Sequence, residues 1–235
     1  MINYRGLNIP FVSFGNVTSD DLFCDKEQVL FDFYAANAKR YRKALDIGAN
    51  IGVHTMLMQR QGWWVHSYEP DPDHYIVLVD NVARNPLPYF GQCGHHEYHQ
   101  RAVSDHDGTA TFVRVKGNTT GSHLKGDKQP YGDLEEFEVP VVDCRPLFAW
   151  ADFAKIDCEG HEARLLLTVR PENRCEFMVE VGNRANAEAI YEHFMRMDVP
   201  MWTQKTAWHD VRTIHDMPQH HSEGALFIGR ERPFP

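Results

Sequence analysis

From residue 44 onward, strand and helix signals alternate, and few architectures accommodate that order. "KALDIGA" is short, apolar and bounded by glycine, as a buried strand is. Gly48 to Gly52 makes a turn, and Val53, Met56 and Leu57 then start a helical face. "WWVHSYEP" predicts a second strand closed by Pro70 and Pro72. Tyr75, Leu78, Val79 and Val82 predict an amphipathic helix over 73–84, stopped before Asn85 and Pro86. "EYHQRAVS" predicts a third strand, and "TATFVRVK" and "FEVPVVD" an antiparallel pair around the polar loop 117–135. "DFAKIDCEG" and "CEFMVEVG" predict the fourth and fifth strands, with "HEARLLLTV" a helix between them. Ala187, Ile190, Tyr191 and Phe194 set another helix, and "MWTQKT" and "GALFIGR" close the series around a loop over 207–223. Strand then helix, repeated, predicts an α/β fold with a parallel sheet covered on both faces. Residues 1–43, with Phe23, Phe31, Phe33 and Tyr34, are expected as an N-terminal extension or lid packed on a single domain over 44–235.

The chain has 235 residues, enough for that one core. Lys and Arg number 24 against 33 Asp and Glu, a net charge of -9, which argues against nucleic acid as a partner. No apolar run approaches the ~18 residues of a membrane helix. The first residues, "MINYRGLNIPFVSF", lack a basic stretch leading into an apolar segment, so a cytoplasmic protein without a membrane partner is expected. The five cysteines (Cys24, Cys93, Cys144, Cys158 and Cys175) are scattered, as free thiols are. The histidine groups Gly94–His99 and Gln219–His221 lack helical or thiolate ligand spacing, so no metal ligands are assigned to them.

In an open α/β sheet, ligands bind off the carboxyl ends of the strands. The stretch "ALDIGANIGVHT" sits at such an end, where glycines let the backbone approach a ligand. A dinucleotide loop wants G-x-G-x-x-G, but Asn50 stands at the middle glycine, and Asp46 is a poor neighbour for a pyrophosphate. A sulfonium nucleoside with an α-amino group reverses that electrostatic preference. Downstream, Glu69 ends the second strand, where an acid can accept both ribose hydroxyls. Acid, loop and second acid together favour S-adenosylmethionine over a nicotinamide cofactor.

"LDIGANIGVHT", "YEPDP", "RAVSDHDGTATF" and above all "FAKIDCEGHEARLL" resemble, in order and spacing, the FkbM-type methyltransferases, over about residues 44–182. The resemblance implies a class I, Rossmann-like, doubly wound fold with a mostly parallel seven-stranded sheet and an antiparallel C-terminal strand. It also implies S-adenosylmethionine as cofactor and O-methylation of a hydroxyl on a small molecule or saccharide. Carried over by position, Asp46, Gly48, Asn50, Gly52 and Thr55 fall at the methionine end. Glu69 and Pro70 fall at the ribose, and Ala102, Val103 and Ser104 near the adenine. Asp157, Glu159 and Glu162 fall on the fourth-strand signature facing methyl group and acceptor.

A hydroxyl acceptor must lose its proton as the new bond forms. Asp157 is the expected base or orienting group, with Glu159 assisting, His161 a further base candidate, and Glu162 and Glu180 lining the acceptor site. A divalent cation between Asp157 and Glu180 is chemically compatible with oxygen ligands and is not predicted. The rivals are an N-methyltransferase on the same fold and a binding module without chemistry. "DCEG" stands where base-methylating enzymes often carry [DN]-P-P-[YF], which disfavours base methylation. The oligomeric state is left open, a homodimer included.

Overall fold

The computed structural model describes residues 2–87, 96–129 and 131–234. Cys93, Gly94 and His95 lie outside the described residues. The central sheet contains β1 (Lys43–Ile47), β2 (Trp64–Tyr68), β3 (Glu97–His99), β4 (Phe153–Ile156), β5 (Glu176–Glu180), β6 (Met201–Thr203), β7 (His209–Asp210) and β8 (Ala225–Ile228). Their order is β7-β6-β8-β5-β4-β1-β2-β3. β3, β2, β1, β4 and β5 are mutually parallel, and β8 runs antiparallel to both β5 and β6.

Among the described residues the central sheet has eight strands, where seven were expected. The added strand is the two-residue β7, within the segment expected as loop. Ala207 and Trp208, both at positive φ, turn the chain back so that Trp202 pairs with Asp210 and Thr203 with His209. "EYHQRAVS" is also two strands rather than one. β3 stays in the central sheet, while Ala102–Ser104 joins a second, four-stranded sheet with Gly108–Val115, His123–Leu124 and Leu134–Asp143. The antiparallel pair runs from Gly108 opposite Val141 to Val115 opposite Leu134; buried Val139 and Val141 alternate with exposed Glu138 and Pro140 on one strand, while Phe112 and Val113 are both buried on the other.

The helices are α1 (Asp25–Ala36), α2 (Val53–Arg60), α3 (Pro72–Arg84), α4 (Cys144–Trp150), α5 (Glu162–Leu166) and α6 (Arg184–Arg196). Asp71 caps α3 by accepting from the Asp73 amide, with Pro72 at the first position. α5 is shorter than "HEARLLLTV" predicts. Its chain tightens to i,i+3 bonds from Thr168 to Leu165 and from Val169 to Leu166, and the Thr168 hydroxyl also donates to the Leu165 carbonyl.

One face of the sheet buries Leu45, Ile156, Leu166, Phe177 and Phe194. The other buries Tyr34, Tyr41, Trp63, Phe153 and Phe227, together with Leu7, Ile9, Phe14, Phe23 and Phe33 from residues 1–43. The N-terminal segment therefore forms part of the wall beneath β1. Among the described residues no helix is long and apolar enough to cross a membrane.

Candidate active site

β1 and β4 end side by side, and the chain turns out of the sheet at Gly48 on one and Asp157 on the other. Gly48 has φ +76, and a Cβ there would lie 1.8 Å from the Asp157 carbonyl oxygen. Only glycine permits that approach. The loop amides are already committed: Gly48 and Ala49 donate to the Tyr68 carbonyl, Gly52 to the Ala49 carbonyl, and Asn50 to Glu69 Oε2 at 2.7 Å. These amides are thus turned away from any phosphate.

Glu69 ends β2, is 6% exposed, and accepts a second amide, from Asp71, on Oε1 at 2.9 Å. Burial pushes its pKa up to about 8 against the pull of those two amides. Each oxygen keeps a lone pair for a further donor. Gly48, Asn50, Glu69, Pro70, Ala102 and Val103 all line a cavity of ≈ 630 Å³ that extends to Asp157, Glu159 and His161.

The other residues assigned to the cofactor lie one layer down. Asp46 is fully buried and accepts from the Thr55 hydroxyl on Oδ2 at 2.6 Å, and Thr55 also bonds Ser67. Asp46 Oδ1 has no hydrogen-bond partner and lies 4.0 Å from Lys155 Nζ. Gly52, at φ +84, packs on Leu78. Ser104 is buried and bonded to the His161 ring at 2.8 Å.

Sequence reasoning missed the roof of the cavity. His74, Phe112, Thr119, Ser122, His123 and Leu124 line it, most of them from the second sheet and its connections. That sheet is fastened to the head of α3 by Arg114, which donates to both oxygens of Asp71 at 2.6 and 2.8 Å, and by a bond between His74 and Thr119. The run "NTTGSHL" holds the signal, but Thr119 meets its partners Phe14 and His74 only once the chain is folded.

Beyond Asp157 and Glu159 a wider cleft of ≈ 1330 Å³ opens, bounded by Lys128, Glu162, Glu180, Asn183, His220 and His221 among others. Lys155, itself buried, donates to Asp157 Oδ2 at 3.1 Å. Burial disfavours the Lys155 charge, but Asp157, Asp46 and Glu27 outweigh it and raise its pKa. Glu159, at φ +55, pairs with Lys128 at 2.6 Å. Burial and the nearby Asp157 push its pKa up to about 7. Glu180 is raised well above the usual carboxylate range, by burial first and Asp157 second.

His161 and Glu162 are tied down. The His161 ring is 3% exposed, bonded to Ser104 on Nε2 and to Asp127 on Nδ1, so both ring nitrogens are already engaged. Glu162 accepts from the Cys158 and Gly160 amides and from the Asn186 carboxamide, bracing the turn that carries Asp157 and Glu159. Glu27 of α1, unassigned from sequence, lines a further recess with Lys155 and Glu180.

A cavity at this strand end, beside a glycine turn with its amides committed elsewhere and opening onto acids, suits the Rossmann-like S-adenosylmethionine-dependent methyltransferases. The family model described as Methyltransferase FkbM domain matches residues 46–199, and the chain belongs to that family. No curated protein matches the sequence. Among solved structures, the chain is similar to a human methyltransferase 10 domain containing protein (12% identity, 95% of this chain and 87% of that one, TM-score 0.47). It is also similar to the N-terminal domain of human METTL16 (14%, 96% and 76%, TM-score 0.47). A third is the ribosomal protein L11 methylase of Lactobacillus delbrueckii subsp. bulgaricus (10%, 88% and 80%, TM-score 0.42).

Proposed function

We propose that the protein transfers the methyl group of S-adenosylmethionine to a hydroxyl of a small, polyhydroxylated acceptor such as a saccharide. The observation that carries this is the junction of the two chambers: the nucleoside cavity and the wide cleft share Asp157 and Glu159 among the described residues. A methyl donor on one side and an acceptor on the other would meet there.

The residues suit the cofactor. The spare lone pairs of Glu69 match a ribose diol, and Asn50 Oδ1, buried without a partner, matches an ammonium or hydroxyl donor. Asp46 supports the positive end from beneath the Gly48 turn. The bound cofactor supplies an activated methyl on a sulfonium. The acceptor oxygen takes that methyl, the C–S electron pair stays on sulfur, and the acceptor proton passes to a carboxylate.

Glu159 is the proton acceptor in this scheme, because a base with a pKa near 7 matches neutral operation. Asp157, which accepts from Lys155 Nζ, orients the acceptor beside the sulfonium. This reverses the expected emphasis on Asp157, and it leaves His161 and Glu162 as positioning residues. Glu180 and Lys128 contribute hydrogen-bonding groups to the acceptor wall, and an acceptor binding there needs neither nucleic acid nor a membrane.

Methyl transfer from labelled S-adenosylmethionine to a panel of saccharides and small polyols is the test. Glu159→Gln should lower turnover by about 10²–10⁴-fold while sparing S-adenosylhomocysteine affinity. Transfer confined to amines, or unchanged turnover in that variant, would refute the respective part of the assignment.

A further inference from the structure

On the edge of the central sheet remote from the acid-lined cleft, three donors converge that the methyl-transfer site does not use. β2 and β3 are parallel and paired so that His66 lies beside Glu97 and Tyr68 beside His99. Successive side chains alternate between faces, so these four residues project from the same side of the sheet. One ligand atom each from His66, Glu97 and His99 falls within 4.8 Å of the others.

The rings are held in place by stacking. Trp150 of α4 lies on the His66 ring at 3.9 Å and 20°, and Tyr68 lies on the His99 ring at 4.7 Å and 19°. His99 Nε2 sits 3.1 Å from Glu97 Oε2 but outside hydrogen-bonding geometry, and that buried nitrogen has no other partner. The geometry points to a transition-metal site formed by His66, Glu97 and His99, suited to Zn²⁺ or Co²⁺.

Two imidazoles and one carboxylate are a borderline ligand set that prefers such ions to Mg²⁺ or Ca²⁺. Donors at about 2.0–2.1 Å from a tetrahedral ion are roughly 3.4 Å apart, so closing the site takes about 1 Å of side-chain movement. Glu97 is exposed and His99 partly so, which leaves a path for the ion and a fourth position for water. Sequence spacing conceals the set, because one ligand comes from β2 and two from β3. The ion would fasten the edge strand to the sheet. It also lies next to the nucleoside cavity, since the Glu69 amide donates to the His99 carbonyl and Tyr68 lines the cavity.

The test is titration of the chelator-treated full chain with Co²⁺, read by visible absorption, followed by displacement with Zn²⁺ in a calorimeter. One Co²⁺ per chain is expected, displaced by Zn²⁺. His66→Phe and His99→Phe keep a stacking ring and remove the nitrogen, and each should weaken binding at least about tenfold. Glu97→Gln, at the exposed ligand, should weaken it too with little risk to folding. The double variant His220→Ala, His221→Ala should bind as the parent does. Absence of a cobalt band, or a band unaltered by His66→Phe and Glu97→Gln, would overturn the assignment. S-adenosylhomocysteine binding by the same variants serves as the control that they are folded.

Discussion

With its pKa near 8, the Glu69 carboxyl is mostly protonated at neutral pH when no nucleoside is bound. A ribose diol donates to the ionised form, so binding draws that proton off. S-adenosylhomocysteine affinity, measured by calorimetry, should therefore rise from about pH 6 to about pH 8 and level off above. Glu69→Gln should cost about 1–3 kcal/mol of binding and remove the slope. The sign for stability is opposite. A folded pKa above the unfolded value gives a contribution that is complete below the ordinary carboxylate value of 4.5 and lost as pH rises through about 8. The ligand-free Glu69→Gln protein should melt higher than the parent at alkaline pH and alongside it in acid. That Glu69, Asp157 and Glu159 stand together around one cavity was legible in their places at strand ends. Their electrostatic surroundings were not, because Lys155 and Lys128 reach Asp157 and Glu159 from a strand interior and a distant loop.

Among the elements, the second sheet depends most on a single ion pair. The Asp71 side chain is 1% exposed, and Arg114 supplies its counter-charge. Arg114→Ala would leave a buried carboxylate without it, a loss of about 3–5 kcal/mol expected in urea denaturation. The central strands could be read from their sequence because buried parallel strands are continuous apolar runs between turn residues. The antiparallel pair showed itself by alternation over Val139 and Val141 and by the β-branched and aromatic run from Thr109 to Val115. The break in "EYHQRAVS" did not, since Tyr98 and Val103 suit either sheet and only the pairing of Ala102–Ser104 with Val141–Asp143 separates them. The roof at Thr119–Leu124 escaped for a related reason: polar residues in a connection show their use only once His74 and the cavity are placed against them.

For the molecule as a whole, residues 1–43 are structural. Leu7, Ile9, Phe14 and Phe23 are all buried, and together they contribute roughly 6–12 kcal/mol of apolar burial. That is comparable to the whole net stability of about 5–15 kcal/mol of an ordinary domain. Deletion of residues 1–24 should yield a chain with no cooperative thermal transition by circular dichroism, rather than a folded enzyme with an open cleft. The two chambers that meet at Asp157 and Glu159 have different walls, the roofed one belonging to the second sheet and the wide one to Lys128, Glu180 and His221. With the two reactants of the proposed transfer placed in different chambers, neither has to arrive first, and spent nucleoside and methylated product can depart in either sequence. Initial-rate plots should then intersect, and each product should compete only with the reactant whose chamber it occupies.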